Sequence, residues 1–174
     1  LNKFNYFENY EFIFEYKKLN LIIVLDISGS MSSSFDTYYY DQFGNQVPIE
    51  GAEENSNKSK MEVATNSVNA LLDHLNPSDR FGMVLFDDYA YLAKPMDYIG
   101  KADLDKLKKH ILDIIPMNGT YMEAGMKSAS DLFKEYYDVD KSEYENRIIF
   151  LTDAMPNIGE TDDNELFKIF KENA

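Results

Sequence analysis

Short, unbroken apolar runs alternate along this chain with longer stretches in which apolar residues recur every three or four positions. Residues 21–25 (LIIVL), 81–86 (FGMVLF) and 147–152 (RIIFLT) are runs of the first kind. Their shortness and their β-branched and aliphatic content predict strands covered on both faces, as in a parallel sheet. Each run is closed by an acid: Asp26, Asp87 and Asp153. Between them, Met61, Ala64, Val68, Leu71, Leu72 and Leu75 predict a helix, opened by a capping-box spacing from Ser59 to Glu62 and stopped at Asn76-Pro77. Leu104, Leu107, Ile111 and Ile114 predict a second helix, ended by Pro116. Met122, Met126, Ala129, Phe133 and Tyr136 predict a third after a turn at Gly119, and Leu166, Ile169 and Phe170 begin a fourth. Residues 89–93 add a short partner strand before Pro95. Tyr10, Phe12, Phe14 and Tyr16, alternating with Glu11, Ile13 and Glu15, predict a half-buried lead-in strand.

Strands alternating with amphipathic helices imply an α/β fold with a doubly wound, mainly parallel central sheet flanked by helices. The expected organisation is a lead-in segment over 1–19 and one domain over 20–174, interrupted by a loop insertion at 32–58 that shows neither helical nor strand period. Loops of that length in compact domains are usually functional or disordered. In doubly wound sheets, ligands bind beyond the carboxyl ends of the strands, where the three closing acids fall.

Composition narrows the class. With 174 residues, 44% of them apolar, the chain is long enough to bury a core and short enough for a single domain. Seventeen basic residues against 31 acidic give a net charge of −14, which disfavours nucleic-acid backbones and suits cations or basic partners. The absence of cysteine removes disulfides, thiolate metal sites and a cysteine nucleophile, and leaves the compartment open, extracellular and cytoplasmic both being compatible. No apolar run approaches the roughly 20 residues that would let this segment insert across a membrane.

The chemistry concentrates at Asp26-Ile27-Ser28-Gly29-Ser30-Met31, directly after the first buried run. A carboxylate with hydroxyls two and four residues later, in a turn loosened by glycine, can aim three oxygens at one point above a strand end. Hard oxygen donors of this kind suit Mg2+, Mn2+ or Ca2+ rather than zinc or copper. Thr120 and Asp153 bring the set to five oxygen-bearing residues from three distant segments. Taken singly, Ser28 and Ser30 read equally well as turn caps and Asp153 as a helix N-cap. Two carboxylates at neighbouring strand ends, however, repel each other unless one is protonated or a cation lies between them.

These residues resemble the von Willebrand factor A domain, whose metal-ion-dependent adhesion site combines D-x-S-x-S with a threonine in a G-T loop and an aspartate in a T-D-x loop. The stretches KMEVATNSVNALLDHLNPSDRFGMVLFDD and RIIFLTDAMPNIG look like its bacterial and inter-alpha-inhibitor-like branch. The resemblance implies a Rossmann-like fold and metal-dependent protein interaction without catalysis, in an adhesion or scaffold role. It also implies Asp26, Ser28, Ser30, Thr120 and Asp153 as the metal set, with a partner's Asp or Glu completing the coordination. Two positions depart from the family pattern: Asn118 and Ala154 stand where glycine is common. A full domain of this family continues into further strands and a helix, so the chain is expected to be C-terminally truncated and to belong to a larger chain or assembly. Tyr38, Tyr39 and Tyr40 in the insertion are candidate partner anchors, because tyrosine is enriched at interface hot spots, and packing of the loop onto its own domain is the equal alternative. Asp36 and Asp41 are candidates for a second cation site.

Other classes fare worse. Asp26-Ile27-Ser28-Gly29-Ser30 departs by one residue from the aspartic-protease D-[ST]-G-[ST] and has no second copy. No nucleotide-binding glycine motif is present, and His74 and His110 lie within the helical patterns without a catalytic partner. The rival readings are a structural or assembly module of the same family without a functional metal and, more remotely, a metal-dependent hydrolase.

Overall fold

The computed structural model describes residues 17–34, 38–50, 57–117, 119–136 and 142–153. The expected lead-in strand at 10–16 and the final helix at 166–170 lie outside the described residues.

Four strands form the central sheet in the order β5-β4-β1-β6, with β1 at Lys18–Asp26, β4 at Arg80–Phe86, β5 at Ala90–Tyr98 and β6 at Tyr144–Leu151. β1 runs parallel to both of its neighbours, and β5 alone is antiparallel. The chain leaves β1 toward β4 on one side through helix α1 (Lys60–Leu72), and after β5 it crosses back through helix α3 (Met122–Phe133) to β6 on the opposite side of β1. That divergence is the arrangement in which doubly wound sheets form a crevice beyond the strand ends.

The unbroken apolar run of β1 has a direct physical reason. Leu21, Ile23 and Leu25 pack on one face with Met61, Val68 and Leu72 of α1 and Ile111 of helix α2 (Leu104–Leu112). Ile22 and Val24 pack on the other with Met122, Met126, Ala129 and Phe133 of α3. Successive strand residues face opposite ways, so a strand with helices on both sides needs apolar residues at every position. Each fully buried aliphatic side chain contributes about 1.5–3 kcal/mol from area removed from water.

Local signals set the helix starts. Ser59 Oγ accepts from Glu62 N–H (3.1 Å), and the Glu62 carboxylate accepts in return from Ser59 N–H (2.7 Å), which closes the expected capping box. Asp103 caps α2 by accepting from Lys106 N–H (3.0 Å).

Two expectations change. The partner strand does not stop before Pro95; β5 continues to Tyr98, with irregular register opposite Met83. Proline is tolerated there because β5 is an edge strand, where an absent N–H costs no ladder bond. The 32–58 segment is not wholly without regular structure either: β2 (Tyr38–Tyr40) and β3 (Gln46–Pro48) pair as an antiparallel hairpin. Its turn is held by Asp41, whose carboxylate accepts from Phe43 N–H (2.8 Å) and Asn45 N–H (2.9 Å), and by Gly44 at φ +82°. Three aromatic residues followed by a turn signal were the relevant pattern, too short to show a period.

Candidate functional site

The site grows from the end of β1. Residues 20–28 are all buried, and the Asp26 side chain is fully enclosed. Its carboxylate is satisfied from two sides: Ser28 N–H donates to Oδ1 (2.7 Å), and Thr152 Oγ donates to Oδ2 (2.5 Å) from just beyond β6. A buried carboxylate needs such donors to remain tolerable. The first bond also bends the chain away from the strand, so that residues Gly29–Ser32 form a short 3-10 turn with Met31 plugged into the core.

From that turn a row of oxygens crosses the sheet end. Ser28 Oγ lies 3.0 Å from Ser30 Oγ, and Ser30 Oγ donates to Asp153 Oδ1 (2.8 Å). The other oxygen of Asp153, Oδ2, accepts from Lys60 Nζ at 2.7 Å. Ser30 and Asp153 are 123 positions apart in sequence and meet because β1 and β6 are adjacent and in register from Leu25 opposite Leu151.

Thr120 reaches the same end of the sheet by another route. Met117 N–H donates to Ile27 O (2.6 Å), Tyr121 N–H to Asp87 O (2.6 Å) and Gly119 N–H to Asp88 Oδ1 (3.0 Å). These three bonds fasten the loop before α3 to the ends of β1 and β4, and Thr120 is 3% exposed within it. Asp87 is itself consumed in a turn, accepting from Tyr89 N–H (3.0 Å).

The structure thus brings Asp26, Ser28, Ser30 and Asp153 into one hydrogen-bonded group and fastens the Thr120 loop beside it. The donor set consists of two carboxylates and three hydroxyls, which fits a hard divalent cation. Among the described residues no cluster of three or more His, Asp or Glu side chains is placed to hold an ion. Of the other candidates, Tyr38, Tyr39 and Tyr40 make up β2. Asp41 spends its carboxylate on its own turn, and the Asn45 side chain, followed by backbone bonds, holds its pKa below the usual value. Asp36 lies outside the described residues.

Three participants were not singled out from sequence: Lys60, Thr152 and Asp88. Lys60 stands in the first turn of a helix, where the exposed N–H groups disfavour a cation, and that misplacement was the available signal.

Residues 21–156 match the model of the von Willebrand factor type A domain, and the chain belongs to that family. Several solved structures share its fold. Proximal thread matrix protein 1 from the mussel byssus, determined with a zinc-occupied MIDAS motif, is 22% identical over 90% of this chain and 36% of its own, with a TM-score of 0.57. The PilB minor pilin from Streptococcus sanguinis is 18% identical over 81% of this chain and 31% of its own (TM-score 0.59). The vWF domain of the type V pili tip protein Mfa5 from Porphyromonas gingivalis is 16% identical over 80% and 39% (TM-score 0.54). The chain therefore spans well under half the length of each of these proteins.

Proposed function

We propose that this domain is a divalent-metal-dependent protein-interaction module, with Asp26, Ser28, Ser30, Thr120 and Asp153 as the metal set and an Asp or Glu of a protein partner completing it. The observation that carries this reading is the row Ser28 Oγ, Ser30 Oγ, Asp153 Oδ1, spaced at 3.0 and 2.8 Å above the buried Asp26. Neutral hydroxyls and only two carboxylates leave a bound cation electrophilic enough to take an incoming carboxylate, even in a chain of net charge −14. Asp26 is held rigid by its two donors, while Ser30 is exposed and faces solvent at the rim. Tyr38, Tyr39 and Tyr40 are proposed as partner anchors. No catalytic role is proposed for the set. The fold-level likeness to pilus and byssal-matrix proteins supports an adhesive or scaffolding setting.

The test is thermal unfolding in chelator and in Mg2+, Mn2+, Ca2+ and Zn2+, with Asp26→Ala alongside. Zinc is included because the mussel protein carries it in its motif. An ion at 100 times its Kd adds about 2.7 kcal/mol, which for a chain of this size corresponds to a rise of roughly 5–10 °C. A saturable rise absent in the variant is expected. A folded wild-type chain indifferent to all four ions would overturn the metal-dependent reading and favour an assembly module without a functional metal.

A further inference from the structure

The site contains a positive charge of its own. Lys60 Nζ lies 2.7 Å from Asp153 Oδ2, and both side chains are largely withdrawn from solvent, at 24% and 10% exposure. The pairing is built in by the backbone. Lys60 N–H donates to Ser33 O (2.9 Å), and Ser34 bridges Ser59, so the start of α1 is fastened to the turn that follows Ser28 and Ser30. The side chain consequently has a short, fixed path to the site. Nothing in the helix calls for this charge: a cation in the first turn opposes the helix dipole, and Glu62 already completes the cap.

We infer that Lys60 is a tethered counter-cation that occupies one oxygen of Asp153 and thereby sets the domain's affinity for the divalent ion. The inference rests on the metal-dependent reading above. Without an ion, the ammonium neutralises Asp153 beside the buried Asp26 carboxylate and keeps the acidic end of the sheet assembled. When an ion shares Asp153, the ammonium is a like charge at close range. Adding a metal–oxygen bond of about 2.1–2.5 Å, the roughly 2.2 Å span of a carboxylate and the observed 2.7 Å contact places the two charges within about 7 Å. A unit charge and a divalent ion at that separation, screened as in bulk water, repel by an amount that lowers affinity about tenfold, and by more in the partly buried setting here. A lysine at this position thus makes binding weaker and more dependent on ion concentration than the oxygen set alone would.

The experiment is calorimetric titration of Mn2+ and Mg2+ alone into the wild-type chain, Lys60→Met, Lys60→Arg and Asp26→Ala, with circular dichroism to verify folding. Lys60→Met is expected to bind about tenfold more tightly or better, Lys60→Arg to stay near wild type, and Asp26→Ala to lose binding. Lys60→Met should also unfold at lower temperature in chelator, because Asp153 loses its counter-charge and keeps only the Ser30 hydroxyl. A merely structural lysine would change that midpoint and leave Kd where it was. Should Lys60→Met fail to fold, Lys60→Gln reads the same loss of charge. Wild-type binding with unchanged or weaker affinity in the uncharged variants overturns the inference alone. No binding by folded wild-type chain overturns the metal reading and the inference with it.

Discussion

Gly125 sits where α3 presses on the end of β4, and substituting it sets two effects of similar size against each other. A Cβ built there would lie 2.9 Å from both Cδ1 and Cγ of Phe86 and 3.2 Å from its Cβ. Those atoms are at the root of the ring, which is itself fully buried and packed at 5.1 Å against Phe150. The ring therefore has no free direction in which to swing. Overpacking of this kind costs about 1–3 kcal/mol, while glycine to alanine in a helix interior returns about 1 kcal/mol of propensity. Gly125→Ala should accordingly lower stability by about 1 kcal/mol net, within a range of roughly 0–2, or about 2–4 °C in Tm per kcal/mol. Urea unfolding followed by circular dichroism reads this directly. The decisive comparison is a double-mutant cycle with Phe86→Ala. Once the ring is gone the contact no longer exists, and the same substitution should stabilise by about 1 kcal/mol. A functional consequence follows, because α3 begins just after the loop that carries Thr120, and Tyr121 N–H is bonded to Asp87 O. Moving α3 off Phe86 should reduce the metal-induced rise in Tm. Gly125→Ala that stabilises the wild-type background, or that acts identically with and without Phe86, would refute the packing argument.

Other substitutions test the supports around the site. Ser59→Ala removes one half of the capping box and should cost about 1 kcal/mol by chemical denaturation. The Glu62 carboxyl is held below its ordinary pKa of 4.5, first by the Ser59 backbone N–H and then by the Ser59 hydroxyl. A depressed acid contributes stability that is complete above its unfolded pKa and is lost as pH falls through the folded value. The stability difference between wild type and Glu62→Ala should therefore be full above pH 4.5 and shrink below it; a difference that grows on acidification contradicts the assignment. At the opposite end of the sheet, the Arg80 guanidinium lies 4.5 to 5.0 Å from the ring centroids of Tyr98, Tyr136 and Tyr144 and donates to Asn20 Oδ1 (3.2 Å). Arg80→Lys keeps the charge and loses the planar stack, so a loss of about 1–2 kcal/mol is expected in urea unfolding. The exposed pair Lys101–Asp97 should behave differently, with Lys101→Ala changing stability by less than about 0.5 kcal/mol at moderate salt.

By itself the sequence determined the parts of this domain that depend on near neighbours. The apolar runs at 21–25 and 81–86 predict strands because burial on both faces demands an apolar residue at every position, and the Ser59–Glu62 box marks a helix start because its two bonds span three residues. The cluster Asp26, Ser28, Ser30 was legible for the same reason: all three side chains belong to one turn. Tertiary structure decided what comes from distant segments. Strand order alone places β6 beside β1, which brings Asp153 to Ser30 and Thr152 to Asp26. The length of β5 across Pro95 depends on its being an edge strand, and the hairpin at β2 and β3 on a cross-strand ladder that no local period announces. Lys60 is the sharpest case. In sequence it is the first residue of a well-capped helix, and only the fastening of the start of α1 to the site loop, with β6 paired beside β1, makes it the partner of an acid 93 positions away. Propensity and periodicity are short-range properties of the chain, whereas the charges that meet at a site are set by which strands become neighbours.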